Sequence, residues 1–263
     1  MSNAAPDTLS HRMPDTISNS MTVRSSAPNA MVNAIRYELT RLATVRSTWV
    51  LLAAGLAVQG LIAYMSAARD HATASEQFTA SVSGLPLMLA GLFATAVAVN
   101  AFGHEYRYGT ITTTMLTLRR PGRVLAAKAM TTGVLAAVYG FALIGVTVVV
   151  QLLTSELPAE TSQIARAFAA APVYVTLFAL AGMGIAAVTR NATIAMVAAI
   201  GIPTVAETGA VVAGASPKLM PFLSAGQLVA PGNGNPILLA LPLTLLAAGL
   251  LAAGVVLLAR RDV

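Results

Sequence analysis

Blocks of about 20 consecutive apolar residues, long enough to cross a ~30 Å hydrocarbon core, recur along this chain. In lipid, a single segment of that kind can satisfy its own backbone only as a helix. The chain is 56% hydrophobic and 10% charged, against about 25% charged in a soluble domain, and its mean hydropathy is +0.74. It reads as an all-α polytopic membrane protein. With a polar segment at 1–30, the 263 residues leave room for about six spans at ~1.5 Å rise per residue. No cysteine is present, which excludes disulfides and thiolate metal sites.

Residues 1–30 are rich in Ser, Asn, Thr, Pro and Ala without apolar periodicity, and are expected to be a disordered tail with no signal-peptide pattern. Met21 and Met31 are possible alternative starts. Residues 31–47 read as an amphipathic helix at the membrane interface, with Val32, Ile35, Leu39 and Leu42 on the apolar face. The rest, 48–263, reads as a six-span domain. The spans are expected near 48–68, 84–102, 124–153, 172–188, from 192, and 237–259. A polar loop with Arg69, Asp70, His71 and Glu76 would join the first two. Trp49 opens the first span at the depth of aromatic belts.

Lys and Arg set the orientation. With the N-terminus in the cytoplasm, all 16 of them fall on the inside except Arg69, Arg166 and Lys218. The positive-inside rule therefore predicts a multi-pass protein of the cell membrane with both termini cytoplasmic. The same distribution accounts for the net charge of +6 without a nucleic-acid partner.

Between spans five and six, prolines at 203, 217, 221, 231 and 236 predict broken or re-entrant outer helices. Glu207 stands in an apolar run there, where a charge at mid-bilayer costs roughly 2.5–3.5 kcal/mol. It either faces a protein or water-filled interior or lies at interface depth. Glu207, Asn100 and Gln59 are the candidates for a translocation path. For Gln59, Asn100 and Gln151 the competing role is a hydrogen bond to a neighbouring helix. Gly182 with Ala186, and Ala248 with Ala252, are small-residue pairs that allow close helix approach.

Motifs for catalysis are absent. There is no phosphate-binding G-x-x-x-x-G-K-[ST] loop, no H-E-x-x-H zinc signature and no G-x-S-x-G elbow. His11, His71 and His104 fall in the tail, an outer loop and an inner loop without metal-ligand spacing. The chain reads as a non-enzyme that holds no cofactor or metal of its own.

The most polar run between the first and last long apolar segments is 103–123, which continues to Lys128. Gly109 permits a sharp turn as span two leaves the membrane. Thr110 is a competent N-cap for a short helix over 111–118, and Pro121-Gly122 stops it. The segment HEYRYGTITTTMLTLRRPGRVLAAK resembles the cytoplasmic loop between spans two and three of type-2 ABC exporter permeases (ABC-2 type). The matching positions are Glu105, Gly109-Thr110, Thr113 to Leu118, Pro121, Arg123 and Lys128. YELTRLATVRSTWVLL, from Tyr37 to Leu52, resembles the amphipathic helix leading into that family's first span. The resemblance covers roughly 31–263. Arg119-Arg120 before the proline and the tail before Met31 depart from the pattern.

The resemblance implies an exporter permease whose loop carries a coupling helix docked on a separate ABC ATPase subunit, where ATP and Mg would bind. Glu105, Arg107, Gly109, Thr110, Thr113, Leu116, Pro121 and Arg123 would then form the ATPase-coupling surface. A second permease copy or homologue would complete a dimer in the bilayer, and the substrate would be hydrophobic or amphipathic. Two other readings stand beside it: a proton-coupled secondary carrier using Glu207, and a non-transporting scaffold or sensor.

Overall fold

A computed structural model describes residues 27–68, 72–107, 121–154, 160–230, 232 and 234–260. Among them there is no strand. The helices are α1 (Ala27–Thr44), α2 (Arg46–Ala67), α3 (Ala74–Val82), α4 (Leu85–Arg107), α5 (Pro121–Thr154) and α6 (Thr161–Thr189). Then come α7 (Ala192–Gly201), a π-helical segment (Ile202–Glu207), α8 (Thr208–Val212), a 3-10 turn (Pro217–Leu219), α9 (Pro221–Gly226) and α10 (Pro236–Arg260). Six stretches are long and apolar enough to cross a membrane: α2, α3 with α4, α5, α6, α7 through α8, and α10. This is an all-α polytopic membrane architecture.

The bundle is built around α6. It packs on α4, α5, α7 and α10, and 72% of its apolar stretch is buried, against 22% for α10. The outward faces of α2, α5, α7 and α10 carry large apolar residues such as Val50, Val134, Val197 and Leu245. That distribution suits helices that meet lipid on one side. With no hydrophobic drive between helices in lipid, close contact must come from shape, and small residues supply it. A Cβ on Gly140 of α5 would lie 2.6 Å from Cα of Pro172 in α6. A Cβ on Gly184 would lie 2.6 Å from Cβ of Leu250 in α10.

Several expectations need correction. The fourth span does not begin at Pro172, because α6 starts at Thr161 and runs through that proline. The Ala-rich turn before it favours helix, and transmembrane helices tolerate an internal proline when neighbours re-satisfy the backbone. The polar segment expected to be a loop after the first span runs into a further helix, α3, which leads the second apolar stretch. Thr73 accepts from the Glu76 amide while Glu76 accepts from the Thr73 amide, a reciprocal cap. Gly84, with φ +61°, then turns the chain into α4.

The tail ends sooner than expected, since 27–30 are already helical with Pro28 in the first turn. The leading helix stops at Thr44, where Val45 is extended before α2. Its inward stripe is Ala34, Glu38 and Leu42, while Val32 and Leu39 face outward. Gly182 and Ala186 are buried in the bundle as expected, but Ala248 and Ala252 are exposed. The close approach of α6 to α10 runs instead through Gly184 with Leu250, and through Gly254 with Ala187.

Candidate functional site

At one end of the bundle lie Arg36, Arg41, Arg46, Arg123, Lys128, Arg190 and Arg260, and it is called the basic end below. Lys128 sits two turns into α5 and is wholly buried. Its ammonium donates to Oε1 of Glu38 at 2.6 Å and to the Ala101 carbonyl at 3.3 Å. Arg41, one turn after Glu38, lies 3.6 Å from Glu38 Oε2 and donates to the same Ala101 carbonyl at 3.1 Å. Two cations thus share one carboxylate and one backbone oxygen of α4. A buried ion pair holds only when further hydrogen bonds satisfy its members, and the Ala101 oxygen does part of that. The cluster fastens α1 to both α4 and α5, the helices on either side of 108–120.

Of the expected coupling residues, four lie in the helices that carry Ala101 and Lys128. Glu105 and Arg107 belong to the last turn of α4. Pro121 is the first residue of α5, and Arg123 is half-buried in its first turn. Gly109, Thr110, Thr113 and Leu116, with the expected helix 111–118, lie outside the described residues. The remaining spans are tied at the same end. Arg190 closes α6 in a left-handed conformation, φ 55°, and donates to the Leu257 carbonyl of α10 at 3.1 Å. Asn191 caps α7 by accepting from the amides of Thr193 and Ile194.

Comparison with protein-family models and with curated proteins finds no match. The site is therefore read from its own chemistry.

Glu207 lies at the opposite end. Pro203 lacks an amide hydrogen and crowds the preceding turn, and the helix widens to π geometry over Ile202–Glu207. Ala195, Ala199, Pro203 and Glu207 are all buried. In a regular α-helix residues four apart drift by about 40° per step, whereas the wider turn holds this stripe in line. Glu207 is thereby turned inward, where its carboxylate accepts from the Phe222 amide at 3.0 and 3.1 Å and the Leu223 amide at 2.8 Å. These are first-turn amides of α9, which has no partner for them within its own helix. Phe222 then packs edge-on against Phe178 of α6, with ring centroids 5.0 Å apart. Ser224 donates to the Leu239 carbonyl of α10 at 3.0 Å, and Gly84 donates to the Gly226 carbonyl at 3.3 Å. The short helix α9 is thus pinned to the start of α4, to α6, to the π-helical segment and to α10.

Gln59 is buried and donates to the Ser81 carbonyl of α3 at 3.0 Å and to Thr147 of α5 at 2.8 Å. Asn100 is half-buried on α4 and lines a hollow of about 260 Å³ at the basic end. A second hollow, about 200 Å³, lies beside α9 between Met88, Tyr174, Pro203 and Phe222. The three candidate path residues therefore occupy separate places, and Gln59 and Glu207 line neither of these hollows.

Glu38 was not legible as a functional residue. The signal that points to it is a shortage of partners. Lys128 is the sole lysine near a span at that end and needs an acid. Glu38 and Glu105 are the only acids between Asp15 and Glu156 expected on its side.

Proposed function

We propose that this chain is the membrane-spanning permease subunit of an ABC-2 type exporter, driven by a separate ATPase subunit and moving a hydrophobic or amphipathic substrate. The observation that carries the reading is the buried Glu38–Lys128–Arg41 cluster on the Ala101 carbonyl. It makes one unit of the leading helix and the two helices that flank the polar loop, so force applied at the loop reaches spans two and three together. Alternating access by rocking of packed helices needs such a rigid point of application. The resemblance of 103–128 to exporter loops supplies the identity of the partner. In this reading the basic end is cytoplasmic, α1 lies at the interface, and α9 with its flanking turns forms a broken outer element.

The test is purification from native membranes in mild detergent with an ATPase assay, comparing wild type with Gly109→Pro. An ATPase that accompanies the wild type and is lost from the variant supports the reading. A folded wild type that brings no ATPase overturns it. The burial of Glu207 favours a second reading, a proton-coupled carrier. That reading requires transport in proteoliposomes without ATP and its loss in Glu207→Gln.

A further inference from the structure

The hollow at the basic end has a shape and chemistry of its own. Leu42 of α1, Leu51 of α2 and Val97 of α4 form its walls, and Arg41, Ser47 and Asn100 supply its polar edge. An apolar hollow of about 150 Å³ already stays dry and takes hydrocarbon, and this one measures about 260 Å³. The two helices also present apolar side chains outward: Leu39 on α1, and Trp49 and Val50 on α2, are exposed.

The charge around the mouth is predominantly basic. Residues 31–56 carry Arg36, Arg41 and Arg46 and a single acid, Glu38. That acid lies 2.6 Å from Lys128 and 3.6 Å from Arg41, and the stretch still carries more arginines than acids. Basic pockets between transmembrane helices attract anionic headgroups.

We propose that this hollow seats one acyl chain of an anionic membrane phospholipid, with its phosphate held at the edge formed by Arg41, Ser47 and Asn100. The lipid would fill the wedge between α1, α2 and α4 and so brace the leading helix against the bundle. The inference does not depend on the exporter reading, since any function of the chain is compatible with a lipid at this place.

The experiment uses the full chain, delipidated in mild detergent. It is mixed separately with phosphatidylglycerol, phosphatidylcholine and inorganic phosphate, and bound lipid is counted by native mass spectrometry alongside the melting temperature. Wild type is expected to retain phosphatidylglycerol over phosphatidylcholine by about tenfold, equivalent to about 1.4 kcal/mol. Ser47→Trp, which fills the mouth from an exposed position, is expected to lower that retention about tenfold while leaving the lipid-free melting temperature unchanged. Arg41→Gln is expected to bring the two lipids to near-equal retention. Should Arg41→Gln fail to fold, Ser47→Trp decides alone.

Equal retention by wild type and Ser47→Trp overturns the seat. Stabilisation by inorganic phosphate equal to that by phosphatidylglycerol replaces it with a free-anion site. A fall in the lipid-free melting temperature of Ser47→Trp means that the protein's own chain occupies the hollow, which also overturns it.

Discussion

The ammonium of Lys128 lies 2.6 Å from the carboxylate of Glu38, 90 residues earlier in the chain, and water reaches neither. Removing one member leaves the other as an uncompensated buried charge, which costs about 3–5 kcal/mol, whereas replacing both with apolar residues is often neutral. Glu38→Gln and Lys128→Met are each expected to melt well below wild type in detergent, and Glu38→Met with Lys128→Met to recover most of the loss. Fluorescence of Trp49, the single tryptophan, reads the event locally, because its indole donates to the Ala43 carbonyl of α1 at 2.8 Å. Additive losses in the double variant would mean that the two side chains act separately.

The crossing of α5 over α6 offers a contrast within one helix. Gly140 faces backbone atoms of Pro172 that cannot swing aside, while a Cβ on Gly145 would meet nothing within 4 Å. Gly140→Ala is expected to destabilise by about 1–3 kcal/mol through overpacking, and Gly145→Ala to stay within about 0.5 kcal/mol of wild type. Denaturant titration in micelles separates the two. Equal effects would argue against the close crossing.

At the far end, Glu207 is expected to anchor α9. Each such hydrogen bond contributes about 0.5–3 kcal/mol, the more the greater the charge on the acceptor. Glu207→Leu removes the acceptors for Phe222 and Leu223, so hydrogen exchange across 221–226 should accelerate by an order of magnitude or more. Glu207→Gln keeps one carbonyl acceptor and should fall between. Unchanged exchange in the leucine variant would show that the aromatic contact of Phe222 with Phe178 suffices.

Orientation is open to direct measurement because the chain has no native cysteine. Arg36→Cys at the basic end and Lys218→Cys at the opposite end are exposed positions. A membrane-impermeant maleimide should label Lys218→Cys in intact cells and Arg36→Cys only after permeabilisation. The reverse pattern would invert the topology.

The spans were legible because their signal is summed over some twenty residues. Positions 84–102, 124–153 and 237–259 lie within the observed α4, α5 and α10 apart from Gly84. What failed was decided by single residues. The apolar run from Pro172 marks only part of the fourth span, since α6 begins at Thr161 and continues through Pro172 with Gly140 packed alongside. The Thr73-to-Glu76 spacing is a local capping signal set in a polar run whose composition otherwise matches a loop. Burial of Glu207 was among the placements left open, but its partners were not legible, because they are amides 15 and 16 residues onward in a separate short helix. Likewise, no periodicity in 31–47 reveals that the inward stripe includes Glu38. That follows only once Lys128 is placed opposite it.

The long separation of Glu38 from Lys128 has a consequence for how the protein is made. At synthesis rates of 5–20 residues per second, Glu38 is added to the chain roughly 5 to 20 seconds before Lys128. Throughout that interval the newborn α1 must keep its acid in water or the headgroup layer, and it can take its final seat only after the third span has been inserted. Chains arrested before residue 128 should therefore carry a leading helix that proteases still reach, so that this ionic contact also serves as a checkpoint on insertion.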